Sequence, residues 1–257
     1  MREWLKHLAL LVLVVAGMSQ ATADTVWAGF TDQPNGQLAT GAVPAPWRVV
    51  PIRQLKPTEY QAMRWDGVNA VQAQADASMA LLAREIQVDL SRTPVLCWRW
   101  RVENLIEQAN MLQKSGDDYP ARVYVAFSIS PQRLGMMTRA QLKLARAIYG
   151  GLVPDAAINY VWDNRQPVGM MQPNVYTDRT HMKVQRSGSA MLGRWVNERV
   201  DVWADVQRAF GPLELQDVRL NLLAVATDTD NTAQRARAGF AELHFVGANL
   251  PCEFSSP

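Results

Sequence analysis

The sequence predicts an all-β fold, a two-sheet β-sandwich or jelly roll with two peripheral helices. Three observations carry that expectation. Short runs that alternate apolar and polar residues recur along the chain; Gly, Pro, Asp and Asn punctuate them; and only two stretches carry helical spacing.

The chain of 257 residues opens with a stretch, Met1 to Ala23, that reads as a secretory signal. Arg2 and Lys6 make a basic start, "LALLVLVVAGM" an apolar centre, and Ala21-Thr22-Ala23 a small-residue cleavage site before Asp24. The apolar run is shorter than the roughly 20 residues that span a bilayer, and it runs into Gly17, Ser19 and Gln20 rather than a cluster of cations. Cleavage and export to the periplasm are therefore expected, with no membrane span after signal removal. Residues 24–257 are expected to form a single β-sandwich domain, since no Gly-, Ser- or Pro-rich linker and no fixed-period repeat divides them.

After the signal, Pro34, Gly36, Gly41, Pro44 and Pro46 break up the first segment. Strands are then expected in "EYQAMRWDG", which enters a turn at Asp66-Gly67, and in "NAVQAQADAS", "REIQVDLS", "PVLCWRWRV" and "ARVYVAFSIS". "AAINYVWDN", "MKVQRSG", "VRLNLLAVAT" and "GFAELHFVG" complete the series. In "TRAQLKLARAIYGG", Thr138 and Gln141 have capping-box spacing, Leu142, Ala145 and Tyr149 share a helical face, and Gly150-Gly151 supplies a stop. In "DVWADVQRAFG", Asp201 is placed to cap a helix carrying Val202, Val206 and Phe210, which Gly211 ends. Met136 and Met137, with the loop at Val153 and Pro154, offer an alternative use as an apolar flap over a site.

Removing Arg2, Lys6 and Glu3 lowers the formal charge from +2 to about +1. Such a chain lacks the dense positive charge that nucleic acid selects. Cys97 and Cys252 stand in a compartment that permits oxidation, but Cys97 lies inside a strand and Cys252 in the tail. A disulfide and two separate thiols are equally compatible with that spacing.

Residues two apart on a strand share a face. In "LCWRWRV", Trp98 and Trp100 therefore point one way with Leu96 and Val102, while Cys97, Arg99 and Arg101 point the other. The indole face is expected in the core. The guanidinium face needs anions, carbonyls or water. In "GDDYPARVYVAFSIS", Arg122, Tyr124 and Ser128 lie opposite an apolar face, with Asp117 and Asp118 just before the strand. If the two strands pair, Arg99, Arg101, Arg122 and Tyr124 share one sheet face near both carboxylates. Tyr160 and Trp162 share a face of the following strand, with Asn159 and Val161 opposite. Together Arg99, Arg101, Asp117, Asp118, Arg122, Tyr124, Tyr160 and Trp162 form a candidate ligand face. It would stack and hydrogen-bond a carbohydrate, or bind its carboxylates if acidic. A solvated ion-pair ladder is the plainer reading of the arginines.

"TDTDNT" places Asp228, Asp230 and Asn231 close together, oxygen ligands of the type calcium prefers. It lacks the glycine and distant glutamate of an EF-hand, and a loop of Asx turns explains it without a metal. No other cofactor is implied. His181 and His244 fit no zinc spacing, His244 reads as structural, and neither a GxSxG elbow nor a phosphate-binding Gly-rich loop occurs.

The runs "PVLCWRWRV", "GDDYPARVYVAF", "INYVWDN", "MKVQRSG", "WVNERVDVWADVQRAFG" and "AVATDTDNT" with "AGFAELHF", taken in order, resemble the bacterial family called domain of unknown function 3047. The resemblance covers nearly the whole mature chain and implies an exported protein with no assigned activity and no functional residues to carry over. The closing "AGFAELHF" is also similar to the final strand of galactose-binding-like jelly rolls, an analogy that favours glycan binding without locating a site.

Three functional readings follow. The first is a non-catalytic module that binds a saccharide or another envelope polymer. The second is a polysaccharide-cleaving enzyme, a lyase or hydrolase, with Tyr124 or Tyr160 moving the proton, an arginine neutralising a uronate, and Asp117 or Asp118 orienting the site. The third is a scaffold for envelope assembly.

Overall fold

The computed structural model describes residues 25–256, apart from 32, 34, 35, 53 and 150–152; the signal segment and the expected Gly150-Gly151 stop fall outside the described residues. Among the described residues, thirteen strands form two sheets. They are β1 (Thr25–Trp27), β2 (Arg48–Pro51), β3 (Glu59–Trp65), β4 (Val68–Asp76), β5 (Ala80–Val88), β6 (Val95–Val102) and β7 (Tyr119–Ile129). β8 (Ala156–Asp163), β9 (Met171–Asn174), β10 (Thr177–Ser187), β11 (Val196–Asp201), β12 (Val218–Asp228) and β13 (Arg235–Val246) follow. One sheet runs β11-β6-β13-β4-β3, with β1 added against β13; the other runs β2-β5-β12-β7-β8-β10-β9. Pairing is antiparallel except between β8 and β10, which run parallel. The fold is the two-sheet β-sandwich of jelly-roll type expected from the alternation.

Four strands lay outside the expected set. β1, β2 and β9 are only three or four residues long, and β2 and β9 each contain a proline, so they carry little periodic signal. β11 alternates buried and exposed residues, but it runs directly into the helix that follows. The Asp66-Gly67 turn between β3 and β4 has positive φ at both residues, 45° and 83°, the backbone of a type I′ hairpin. Gly239 on β13 makes room for two indoles: a Cβ there would stand 2.8 Å from Trp195 and 3.1 Å from Trp65.

Trp98 and Trp100 point into the sandwich and are completely buried. Trp98 packs edge-on against Trp100 at 5.3 Å and against Tyr160 at 5.5 Å, while Trp100 meets Trp162 at 5.7 Å. Each aromatic of this kind removes roughly 150–250 Å² from water, so the quartet anchors the centre of the core. The Trp100 Nε1–H donates to Glu198 at 3.0 Å and the Trp162 Nε1–H to the Gly188 carbonyl at 3.1 Å.

Helix α2 (Val202–Phe210) follows expectation: Asp201 accepts from the Ala204 N–H at 2.9 Å, and Gly211, at φ 80°, closes it. Helix α1 (Met136–Tyr149) begins two residues before the expected Thr138 cap. The first helical bond runs from the Arg139 N–H to the Gly135 carbonyl, so Thr138 lies inside the first turn rather than at the cap. Leu142 is buried, as its face predicted, while Met136 and Met137 are 80% and 73% exposed.

Cys97 and Cys252 form a disulfide with a Cα separation of 5.8 Å, deciding the alternative that spacing left open. The bond pins the tail against the outer face of the β6 sheet, where Leu250, Cys252 and Phe254 pack on Val95 and Val246. His244 is structural, as read from the sequence. Its Nδ1 lies 2.7 Å from the Glu242 carbonyl, its Nε2 accepts from the Glu253 N–H at 3.0 Å, and Trp27 stacks on it at 4.5 Å.

Candidate functional site

The eight candidate ligand residues do not form one face. β6 belongs to one sheet and β7 to the other, because the chain between them crosses from layer to layer instead of turning as a hairpin. Arg99 and Arg101 therefore lie on one exterior and Arg122 and Tyr124 on the opposite one. Arg99 donates to Asn197 at 2.9 Å, pairs with Glu242 at 3.2 Å and covers the Phe254 ring at 5.1 Å. Arg101 pairs with Glu103 and Asp66 and stacks on Trp65 at 4.9 Å. Both cations are held in ion pairs, as the plainer reading had it, but the Arg99–Glu242 pair is buried rather than solvated.

Tyr160 and Trp162 are likewise removed from the ligand face. β8 turns both toward the core, where Trp98 and Trp100 wait, and Tyr160 donates its hydroxyl to Asp205 of α2 at 3.0 Å. Burial beside that carboxylate raises the Tyr160 phenol well above its ordinary pKa. Tyr160 therefore cannot serve as an exposed proton-transfer group, which corrects one assignment of the lyase reading.

What the fold does bring together sits on the outer face of the β7 sheet. Arg122 and Tyr124 of β7, Asn159 of β8, Asn174 at the end of β9 and Thr180 of β10 line a pocket of about 340 Å³. Tyr176, Asp117, Asp228, Asp230 and Asn231 also line it. Tyr124 stands directly opposite Asn159 in the β7–β8 ladder.

The polar groups are arranged in layers. Arg122 is buried beneath the pocket, with Nε and Nη2 both on the Asp228 carboxylate, Nη2 also on the Asp117 carbonyl, and Nη1 on the Tyr124 hydroxyl at 3.2 Å. The Tyr119 ring lies under the guanidinium at 4.4 Å. Burial, with the nearby Asp228 and Asp117 carboxylates working against Arg122, pushes the Tyr124 phenol up to about 12. Burial also raises the Asp228 carboxyl, against the pull of Arg122. Asp117 accepts from the Asn174 amide at 3.1 Å, and Tyr176 donates its hydroxyl to the Lys114 carbonyl at 3.0 Å. That leaves the Tyr176 ring 55% exposed at the rim.

Asn159 is the unsatisfied member. It is 2% exposed, its Nδ2 reaches the Met182 sulfur at 3.6 Å, its amide also interacts with the Tyr124 hydroxyl, and its Oδ1 has no hydrogen-bond partner among the described residues. A buried amide oxygen without a donor costs about 1–3 kcal/mol.

Asp117 and Asp118 diverge: Asp117 closes the 3-10 turn Lys114–Gly116 with φ −76° and ψ 49° and is not on extended chain. Asp117 faces the pocket; Asp118 turns away and accepts from the Asn231 and Thr232 N–H groups at 3.2 and 2.7 Å. Of the residues expected to hold a cation, Asp228 and Asp230 lie close together, and a carboxylate oxygen of Asp118 joins theirs, all within 4.8 Å of one another. Asn231 gives its backbone N–H to Asp118. Both Asp228 oxygens are held by Arg122 and both Asp118 oxygens by backbone N–H groups.

The pocket continues across the sheet. Tyr176 and Thr180 also line a second cavity of about 770 Å³ beneath Gln141, Leu142 and Ala145 of α1. Val153 and Pro154 join that to a third, of about 730 Å³, over Ser128, Asn221 and Leu222. Ala126 and Ala157 pair at the centre of this outer face, flanking the Tyr124–Asn159 pair, so short side chains keep it low.

Asn159, Asn174, Tyr176 and Thr180 escaped the sequence reading. Asn159 was available from alternation once Tyr160 and Trp162 were given to the core. Asn174, Tyr176 and Thr180 reach the pocket only because β9 and β10 pair beside β8.

Several solved structures are similar to this chain in fold at very low identity. The family 11 carbohydrate-binding module from Clostridium thermocellum, in complex with a β-1,3-1,4-mixed-linked tetrasaccharide, shares 7% identity, with 89% of this chain and 98% of that one covered and a TM-score of 0.41. The family 30 carbohydrate-binding module of a Clostridium thermocellum cellulosomal cellulase shares 11%, covering 89% and 95%, with a TM-score of 0.36. Trichoderma harzianum endoglucanase 3, of family GH12, shares 8%, covering 88% and 97%, with a TM-score of 0.40. None of the curated proteins matches the chain by sequence. The family described as "Protein of unknown function (DUF3047)" matches residues 45–244, and the chain belongs to that family.

Proposed function

We propose that this chain is an exported, non-catalytic module that binds a saccharide or a related envelope polymer in the groove on the outer face of the β7 sheet, with residues 24–257 acting as one unit. The observation that carries the reading is Asn159. Asn159 lines a pocket with Tyr124, Asn174 and the exposed Tyr176, and its buried Oδ1 has no hydrogen-bond partner among the described residues. A hydroxyl-rich ligand supplies the missing donor, and a sugar face covers the ring. The adjoining cavities give a polymer room to continue. Export is supported by the leader-like start and by the Cys97–Cys252 disulfide, a bond that persists in oxidising compartments.

The test is retention of the mature chain on a panel of neutral, amino and acidic glycans, with Asn159→Leu and Tyr176→Ala as variants. Specific retention that both variants weaken supports the reading. Retention that both leave unchanged, with the protein folded, removes it. N-terminal sequencing of protein recovered from the periplasm is expected to begin at Asp24; a chain still starting at Met1 would refute the export reading.

A further inference from the structure

The charges around the pocket discriminate among saccharides, an inference that rests on the binding function above. Carboxylates of Asp117, Asp228 and Asp230 line the pocket, and an Asp118 oxygen lies within 4.8 Å of those of Asp228 and Asp230. Among the described residues that line it, Arg122 is the cation, and all three of its nitrogens are engaged by Asp228, the Asp117 carbonyl and Tyr124. No guanidinium edge remains to clamp an anionic sugar. Lys114 stands near the rim with its ammonium over the Tyr176 ring at 5.2 Å.

Two of the open groups in the pocket are acceptors. Asn159 Oδ1 is buried and unpartnered, and the Asp117 carboxylate meets only the Asn174 amide and the more distant Arg122 Nη1 at 3.9 Å. We propose that the pocket selects an amino sugar bearing a free, protonated amine over neutral and acidic sugars. An ammonium brings three N–H donors and a positive charge, which suits an amide oxygen beside carboxylates; a uronate brings a further negative charge to the same place. The Asp230 carboxyl, raised by its burial and by Asp118, reflects the same shortage of positive charge.

Titration calorimetry of the mature chain tests this with four tetrasaccharides: a β-1,4-linked glucosamine oligomer with free amines, its N-acetylated form, a neutral glucan and a uronate, with tetralysine as a fifth probe. The free-amine oligomer is expected to bind at least about tenfold more tightly than its N-acetylated form. Added salt should weaken that complex more than the neutral ones. Asp230→Asn and Asp117→Asn should each shrink the ratio of free-amine to N-acetylated affinity; if one variant fails to fold, the other gives the reading. Equal binding of the N-acetylated or neutral oligomer overturns the inference and leaves saccharide binding standing, as does a preference that both folded variants retain. Tetralysine binding as tightly overturns selection of a sugar. If no oligosaccharide binds, or binding ignores Asn159→Leu, the functional reading falls and the inference with it.

Discussion

Arg122 holds Asp228 through two of its nitrogens directly beneath the pocket, both side chains being almost wholly buried. Of the three arginines that alternation assigned to the candidate face, Arg122 is the one the fold leaves at the pocket, and this pair neutralises its charge. Arg122 is thereby a positioning residue: it fixes the Tyr124 hydroxyl and the Asp117 backbone around the pocket.

Arg122→Met leaves Asp228 buried without its partner and is expected to cost about 3–5 kcal/mol of stability. Adding Asp228→Leu should recover most of that loss, because a buried pair replaced on both sides leaves no bare charge. Denaturant melts of the single and double variants check this; equal destabilisation in both would contradict it.

Asn159→Leu removes a buried amide whose oxygen has no partner, at nearly constant volume. The free protein should be unchanged or up to about 1 kcal/mol more stable, while glycan affinity drops about tenfold or more. Parallel melting and binding curves would show the two effects moving in opposite directions.

The histidines set a pH edge. Burial lowers the pKa of His244, and of His181, below the ordinary 6.5. The unfolded chain then binds protons that the folded one resists, so stability is fully present above pH 6.5 and declines as the pH falls through the lowered folded values. His244→Gln should flatten part of that decline in urea midpoints measured across the range, even though it loses the contacts to Glu242 and Glu253.

Reducing the Cys97–Cys252 bond, or replacing both residues by alanine, is expected to cost about 2–5 kcal/mol. The two cysteines lie 155 residues apart in sequence, so the bond closes a very long loop. The tail should loosen with it, and hydrogen exchange should report lost protection at Glu253 and Ser255, whose N–H groups are bonded to His244 and Glu242.

The acidic loop answers to Asp118. Asp118→Ala strips the acceptor from two backbone N–H groups and should cost about 1–3 kcal/mol. A chelator should leave the Tm of the native chain unchanged; a chelator-induced fall of several degrees, restored by calcium, would instead establish a resident cation at Asp118, Asp228 and Asp230.

Local patterning decided a good deal. Alternation in "LCWRWRV" sent Trp98 and Trp100 inward, Asp201 and Gly211 marked the ends of α2, Asp66-Gly67 made the hairpin turn, and His244 proved structural. Each of these depends on a residue and its near neighbours in the chain. Alternation also placed Arg99, Arg101 and Arg122 outside the core, and it named the face of β8 on which Asn159 lies.

Tertiary structure alone chose the partners. A period of two determines which side of a sheet a residue takes, while the backbone ladder that joins strands is indifferent to side chains, so nothing local in β6 or β7 says that they join different sheets. That choice separated Arg99 and Arg101 from Arg122 and Tyr124, turned Tyr160 and Trp162 to the interior, and carried Asn174, Tyr176 and Thr180 to a pocket that adjacent sequence did not reveal. The disulfide was decided in the same way, by the distance between two strand-distant backbones rather than by the spacing of the cysteines.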